Sequence, residues 1–255
     1  MTETTYIPSS GLAGKWRRLS ARLFERDPLR FSAQKLTVSF TFDDFPKSAV
    51  EHGATELERH GWRGTWYAAA GFAGGENHHG ALFDAADINR LSEAGHEIAC
   101  HTHSHLDIAA ASLEAVQAEI EQNRDALAAM GYRGSLPAFA YPFGEATPRA
   151  KRALSGRYET LRGVQPGINR SGDDRHLLKA VGIDGGDAGI ARALSFIEDG
   201  RNAPGWLIFF AHDIRAEPTP WGCTPDQFRE VCDAVARSDA DVMPVTEAYR
   251  SLVRE

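Results

Sequence analysis

Residues 36 to 44 read LTVSFTFDD, and the reading of this stretch decides the fold. Leu36, Val38, Phe40 and Phe42 alternate with Thr37, Ser39 and Thr41, the period-two pattern of a strand. The strand ends on two adjacent acids, Asp43 and Asp44. Two carboxylates at the mouth of a core strand are costly unless a cation neutralises them. An Asp turn or a helix N-cap accounts for one of them and leaves the pair unexplained.

A candidate partner for that cation lies further on, in GHEIACHTHSHLD at 95 to 107. Ile98-Ala99-Cys100 reads as a buried strand, so His101, His103 and His105 fall where a strand gives way to a loop or helical turn. His101 and His105 are four residues apart and share one face of a helical turn. Two imidazoles on one face can bind one cation, and imidazole suits zinc, iron, nickel and copper. Two histidines and a carboxylate give three protein ligands and leave a position open for water. Alternation turns His103 away, into a supporting place beside the ligands. Cys100 reads as a small buried hydrophobe.

The rest of the chain alternates in the same manner. Helices are expected over about 47 to 60, 84 to 94, 113 to 130, 147 to 155, 188 to 198 and 225 to 237, the third capped by Ser112 and the last by Thr224. Strands are expected over 64 to 70, 138 to 141, 158 to 161, 177 to 183, 206 to 212 and 242 to 245. The run WLIFFAH at 206 to 212 is continuously apolar, as in a buried parallel strand. Alternating strands and helices mean a parallel sheet, and about seven βα units suit a barrel. The chemical motifs sit at the C-terminal ends of strands, where a barrel puts its active site. GFAGGENHHG at 71 to 80 reads as a loop with His78 and His79 solvated.

Composition narrows the class. The 255 residues carry 28 Lys and Arg against 35 Asp and Glu, a net charge of −7, which argues against a nucleic-acid partner. Cys100, Cys223 and Cys232 lack metal-site spacing and are odd in number, so a reducing compartment is expected. No apolar run approaches a membrane span. MTETTYIPSSGLAGKW has no basic region followed by an apolar core, so the expected location is cytoplasmic. Residues 1 to 30 are expected as an arm with a short helix, and 31 to 255 as one barrel domain. Within the arm, KWRRLSARLFER at 15 to 26 places Trp16, Leu19 and Leu23 on one face among Lys15, Arg17, Arg18, Arg22 and Arg26. Such a helix can lie on an anionic membrane; a surface helix packing Trp16 on the body is the plainer expectation.

TFDD at 41 to 44, HTHSH at 101 to 105, AYPFG at 140 to 144 and FFAHD at 209 to 213 occur in an order that resembles the polysaccharide deacetylases, the NodB-homology or carbohydrate esterase family 4 enzymes. The resemblance runs from about residue 35 to the C-terminus. It implies a distorted, incomplete (β/α) barrel of about seven parallel strands. It implies Asp44, His101 and His105 as ligands of a divalent metal, zinc by preference, with Asp43 as general base and His212 as general acid. The backbone N–H of Phe143 would help hold the oxyanion. The activity implied is removal of an acetyl group, chiefly N-acetyl, from an acetylated sugar, oligosaccharide or glycoconjugate. Tyr141 and Trp221 are candidate sugar-stacking surfaces.

Departures from the family pattern are equally legible. The glycine usual after TFDD is Phe45, which would shape the floor of the site or narrow access to it. The arginine usual in the third motif, which pairs with the base, is Ala140. Lys179 or Arg170 is the expected substitute, and Asp184 the expected acid orienting His212. Two other readings remain open at this stage. One is a non-catalytic carbohydrate-binding descendant, supported by the missing arginine and by the absence of the usual acidic-aromatic fourth motif. The other is a non-haem iron enzyme using the same two-His-one-carboxylate set.

Overall fold

The computed structural model describes residues 11–253. Of the expected arm, residues 1–10 lie outside the described residues. From Leu12 the chain is already helical, as α1 (Leu12–Leu23). There follow β1 (Thr37–Asp43), a wide-turn helix over 49–54 running into α2 (Thr55–Arg59), β2 (Thr65–Ala68), and a two-residue ribbon of β3 (Glu76–Asn77) and β4 (Gly80–Ala81). Next come α3 (Ala85–Glu93), β5 (Glu97–Cys100), α4 (Leu113–Ala129), β6 (Ala138–Ala140), α5 (Pro148–Leu154), β7 (Thr160–Arg162) and β8 (Val181–Gly182). The chain ends with α6 (Gly186–Asn202), β9 (Trp206–Ala211), α7 (Pro225–Ala236), β10 (Asp241–Val242) and α8 (Val245–Leu252).

The main sheet runs β7-β6-β5-β2-β1-β9-β8, every pairing parallel, with β10 added beside β1. Its two edges approach through the segment before β8, where Arg162 bridges Leu178 and Gly163 N–H donates to the Leu178 carbonyl. This is the curled, incomplete seven-stranded parallel barrel expected from the sequence. Local chemistry sets the helix starts: Ser112 accepts from Ala115 N–H, and Asp84 and Thr224 each form a full capping box.

The alternation in β1 has an unexpected meaning. Period two suggests a half-exposed strand, yet all seven residues are buried. Val38, Phe40 and Phe42 face the helices on the outside of the sheet and join the largest apolar cluster. Of the polar residues between them, Ser39 Oγ accepts from Trp206 Nε1 at 3.0 Å and Thr41 Oγ donates to the Phe209 carbonyl at 2.8 Å. The barrel interior is filled by Tyr67, Trp206 and small residues such as Ala99 and Ala138. Phe45 is fully buried, stacked on Phe83 at 4.2 Å and edge-on to Trp66 at 5.2 Å, so it anchors the turn after β1 and does not narrow a cleft.

The N-terminal helix departs from the plainer expectation. Its small residues Gly14 and Ala21 are buried, and Trp16 faces solvent, 62% exposed. The three cysteines are buried and free. Among the described residues, no helix is long and apolar enough to cross a membrane.

Candidate metal centre

The ends of β1, β5 and β6 meet at one point. Asp44 follows β1, and His101 and His105 follow β5. Their ligand atoms all lie within 4.8 Å of one another, with His105 Nε2 3.6 Å from Asp44 Oδ2. Two ligands of one zinc, each at about 2.0–2.2 Å, stand at most about 4.4 Å apart, so these three fit one cation with at most a small closure. His101 Nδ1 is 2.9 Å from the Ala140 carbonyl, an arrangement that orients the ring and leaves Nε2 for a metal. Burial, with His105 next, pushes the His101 imidazole down to about 3, so it is neutral and its lone pair is available. The residues present therefore fit a divalent ion.

The backbone here is unusual. Asp44, Thr102, His105 and Phe143 all have positive φ, between 49° and 61°, the left-handed region that costs a non-glycine residue about 1–3 kcal/mol. Among the described non-glycine residues only Glu25 and Asp239 otherwise share it. The strain is thus concentrated where three strands deliver side chains to one point. Buried contacts hold it there. Asn123, on α4, accepts from Ala70 N–H at 2.8 Å and donates to the Ala68 carbonyl at 3.1 Å, tying β2 to the helix beneath the histidines. Thr102 Oγ accepts from Leu106 N–H at 2.9 Å and closes the histidine turn. His103 packs over Gly71, and its N–H donates to Glu119, so it stands outside the ligand group. Phe143 sets its ring 4.3 Å from that of His105.

Asp43 has a different partner. Arg162, at the end of β7, sends Nη2 to within 2.6 Å of both Asp43 oxygens. Arg162 is fully buried, with its guanidinium 4.9 Å from the Tyr67 ring and 5.4 Å from that of Phe210. Burial by itself would raise the Asp43 carboxyl. The Arg162 charge and hydrogen bonds outweigh it and hold the group below its usual value, so it is ionised at neutral pH.

Sequence reasoning missed Arg162. Lys179 instead pairs with Asp173 at 2.8 Å, and Arg170 donates to the Ala203 carbonyl. The geometric reason is register: Ala140 on β6 sits directly beside Arg162 on β7. The arginine absent from one strand is supplied at the same level by its neighbour. An arginine closing the apolar strand Thr160–Arg162 was the available signal, but the strand was expected to end one residue earlier.

On the opposite side stands His212, just after β9. Its Nδ1 lies 3.3 Å from the Trp221 carbonyl, which takes the place expected of Asp184. Asp184 turns to Arg192 at 3.1 Å. Burial lowers the His212 imidazole although Asp43 pulls it upward. His79, expected in solvent, is buried and stacked on His212 with centroids 4.8 Å apart and planes 12° from parallel. Asp213 Oδ1 holds His79 Nδ1 at 2.9 Å, and Thr219 donates to the same oxygen at 2.6 Å. Gly222 is required here, because a Cβ would fall 2.3 Å from the Asp213 carbonyl oxygen. Trp221 is partly exposed, 5.3 Å from His78, beside the mouth of the site. Tyr141 is buried, with its hydroxyl donating to the His176 carbonyl at 3.1 Å, so it belongs to the core and cannot stack on a sugar.

A second grouping, Glu56, His60 and Asp233, also clusters. The Arg59 guanidinium lies among these groups, 2.6 Å from Glu56, 3.0 Å from His60 and 3.2 Å from Asp233, and supplies a positive charge.

Comparison with known proteins agrees with this geometry. A family profile described as polysaccharide deacetylase matches residues 32–157. The chain belongs to the polysaccharide deacetylase family. A search of the curated proteins found no match. Among solved structures, the chain resembles the family 4 acetyl xylan esterase from Clostridium thermocellum in complex with a cobalt ion, at 20% identity and TM-score 0.56, covering 84% of this chain and 91% of that one. It also resembles the chitin deacetylase of the fungal pathogen Colletotrichum lindemuthianum, at 15% identity and TM-score 0.62, covering 86% and 89%. A third likeness is to the Xyl-CE4 domain of a multidomain xylanase from the hindgut metagenome of Trinervitermes trinervoides, at 18% identity and TM-score 0.57, covering 86% and 91%. These likenesses establish the shared barrel.

Proposed function

We propose that this family member is a metal-dependent hydrolase that removes an acetyl group from a sugar, chiefly an N-acetyl group. The observation that carries the reading is the division of labour between two adjacent acids. Asp44 stands with His101 and His105, and Asp43 is held apart on Arg162. A bound divalent ion, zinc by preference, would supply a water of lowered pKa and polarise the acetyl carbonyl. Asp43, ionised and kept off the ligand group, takes the proton of the attacking water. The Phe143 backbone, turned at positive φ beside His105, is the proposed N–H donor to the developing oxyanion. His212 points Nδ1 to a backbone carbonyl, so Nε2 is the atom that returns a proton to the leaving amine or alcohol. Trp221, partly exposed beside it, is the proposed sugar surface.

The reading of a non-catalytic descendant rested on the missing arginine and the degraded fourth motif, and Arg162 removes the first of these supports. The test is acetate release from a panel of N- and O-acetylated sugars, with and without chelator. Release that chelation abolishes and added zinc restores is the expected result. No release from the whole panel by metal-loaded protein would leave only binding.

A further inference from the structure

The N-terminal helix presents its most apolar face to solvent. Leu12, Trp16, Leu19 and Leu23 recur at helical spacing and are 87%, 62%, 44% and 57% exposed; Phe24 follows them at the C-cap. The other large exposed apolar side chains among the described residues, Val164, Trp221 and Val253, are scattered. An ordinary surface helix turns such a stripe inward. Here the inward face is built from small residues, with Gly14 and Ala21 buried.

The orientation is enforced. Lys151 on α5 is fully buried and its Nζ donates at 2.8 Å to the carbonyls of Ala21 and Phe24, a cation placed on the C-terminal end of α1. Asp174 neutralises the same Nζ at 2.5 Å. On the inward side Arg17 and Arg18 reach Glu145 at 3.2 and 3.1 Å. Glu145 lies two residues beyond Phe143, so the helix is bolted to the rim that carries the metal centre. The helix cannot roll its stripe inward without breaking these contacts.

Charge identifies what the stripe meets. The helix contains no acid, and the exposed Lys15 and Arg22 run along one flank of the stripe, with Arg26 exposed just past its end. The chain as a whole carries −7. Leucines and a tryptophan flanked by cations are the pattern of a helix lying in the headgroup boundary of an anionic bilayer. An antiparallel pairing of two copies through this stripe would instead set Lys15 and Arg22 of one beside those of the other.

We propose that α1 docks this protein on an anionic membrane surface, with Leu12, Trp16, Leu19 and Leu23 in the apolar boundary and Lys15, Arg22 and Arg26 on the headgroups. The full chain, without substrate or metal, is floated with phosphatidylcholine vesicles that do or do not contain phosphatidylglycerol. Binding is expected with the anionic vesicles, reversed by high salt and weak with the neutral ones. The exposed-face variant Leu12→Ser/Trp16→Ser/Leu19→Ser/Leu23→Ser should lose at least about 100-fold in affinity. Lys15→Gln and Arg22→Gln should each lose about fivefold. Circular dichroism on each variant checks that the fold is kept. The proposal is overturned if the parent stays with the unbound fraction, if the four-site variant floats equally well, or if the parent is a dimer that this variant dissociates.

Discussion

The two halves of the barrel equip the centre in different ways. Residues 32–157, which match the family profile, bring Asp43, Asp44, His101 and His105 in the familiar order. Residues beyond 157 bring Arg162, His212 and Asp213, of which Arg162 holds Asp43 and Asp213 holds His79, both in the first half. The ligands come from short contiguous motifs at strand ends. The partner of the proposed base comes from the strand beside β6 at the level of Ala140, and those of the proposed acid come from loops. A metal site constrains residue type and spacing tightly. A charge partner needs only to arrive at the right place, and Arg162 on β7 does so beside Ala140 on β6.

The strongest challenge to this contrast is at the ligands. His101→Ala should abolish metal retention and lower acetate release by roughly 10³-fold or more, measured by metal analysis and a steady-state assay. A variant that keeps both would break the assignment of the first half. Next is the migrated arginine. Arg162→Ala strands the buried Asp43 and should destabilise by about 3–5 kcal/mol in denaturant unfolding. Ala140→Arg added to it should recover part of that loss, because the two positions are register partners. If the double variant is no more stable than the single one, the two strands are not interchangeable donors.

The acid side should respond more mildly. His212→Gln should cost about 10²-fold in kcat. His79→Gln should cost less, about tenfold, and move the basic limb of the pH profile, since its ring stacks on His212 without reaching the Asp43 side. An unchanged profile would make His79 packing alone. The smallest effect concerns acid stability. Burial would raise Asp213, but His79 and Thr219 outweigh it and hold the group below its usual value. Its contribution is therefore fully present above the unfolded carboxylate pKa of about 3.9 and is lost as pH falls through the lower folded value. The parent should lose stability more steeply than Asp213→Asn below about pH 4, in thermal melts across that range.

Sequence alone was sufficient for the barrel, because strand patterns alternating with helix patterns mark a parallel sheet, and for the group of Asp44, His101 and His105, because the resemblance singles them out and they follow the strands that present them. It was insufficient wherever a contact joins residues distant in the chain. Arg162 meets Asp43 only through strand register, and His79 meets His212 only through a loop folded across the rim. Tyr141 reads as either a sugar surface or a core aromatic, and the packing after β6 makes it core. The outward face of α1 was decided by Lys151 and Glu145, which lie more than a hundred residues away. Local periodicity reports that a face is apolar; only the tertiary contacts of the opposite face determine whether it is buried.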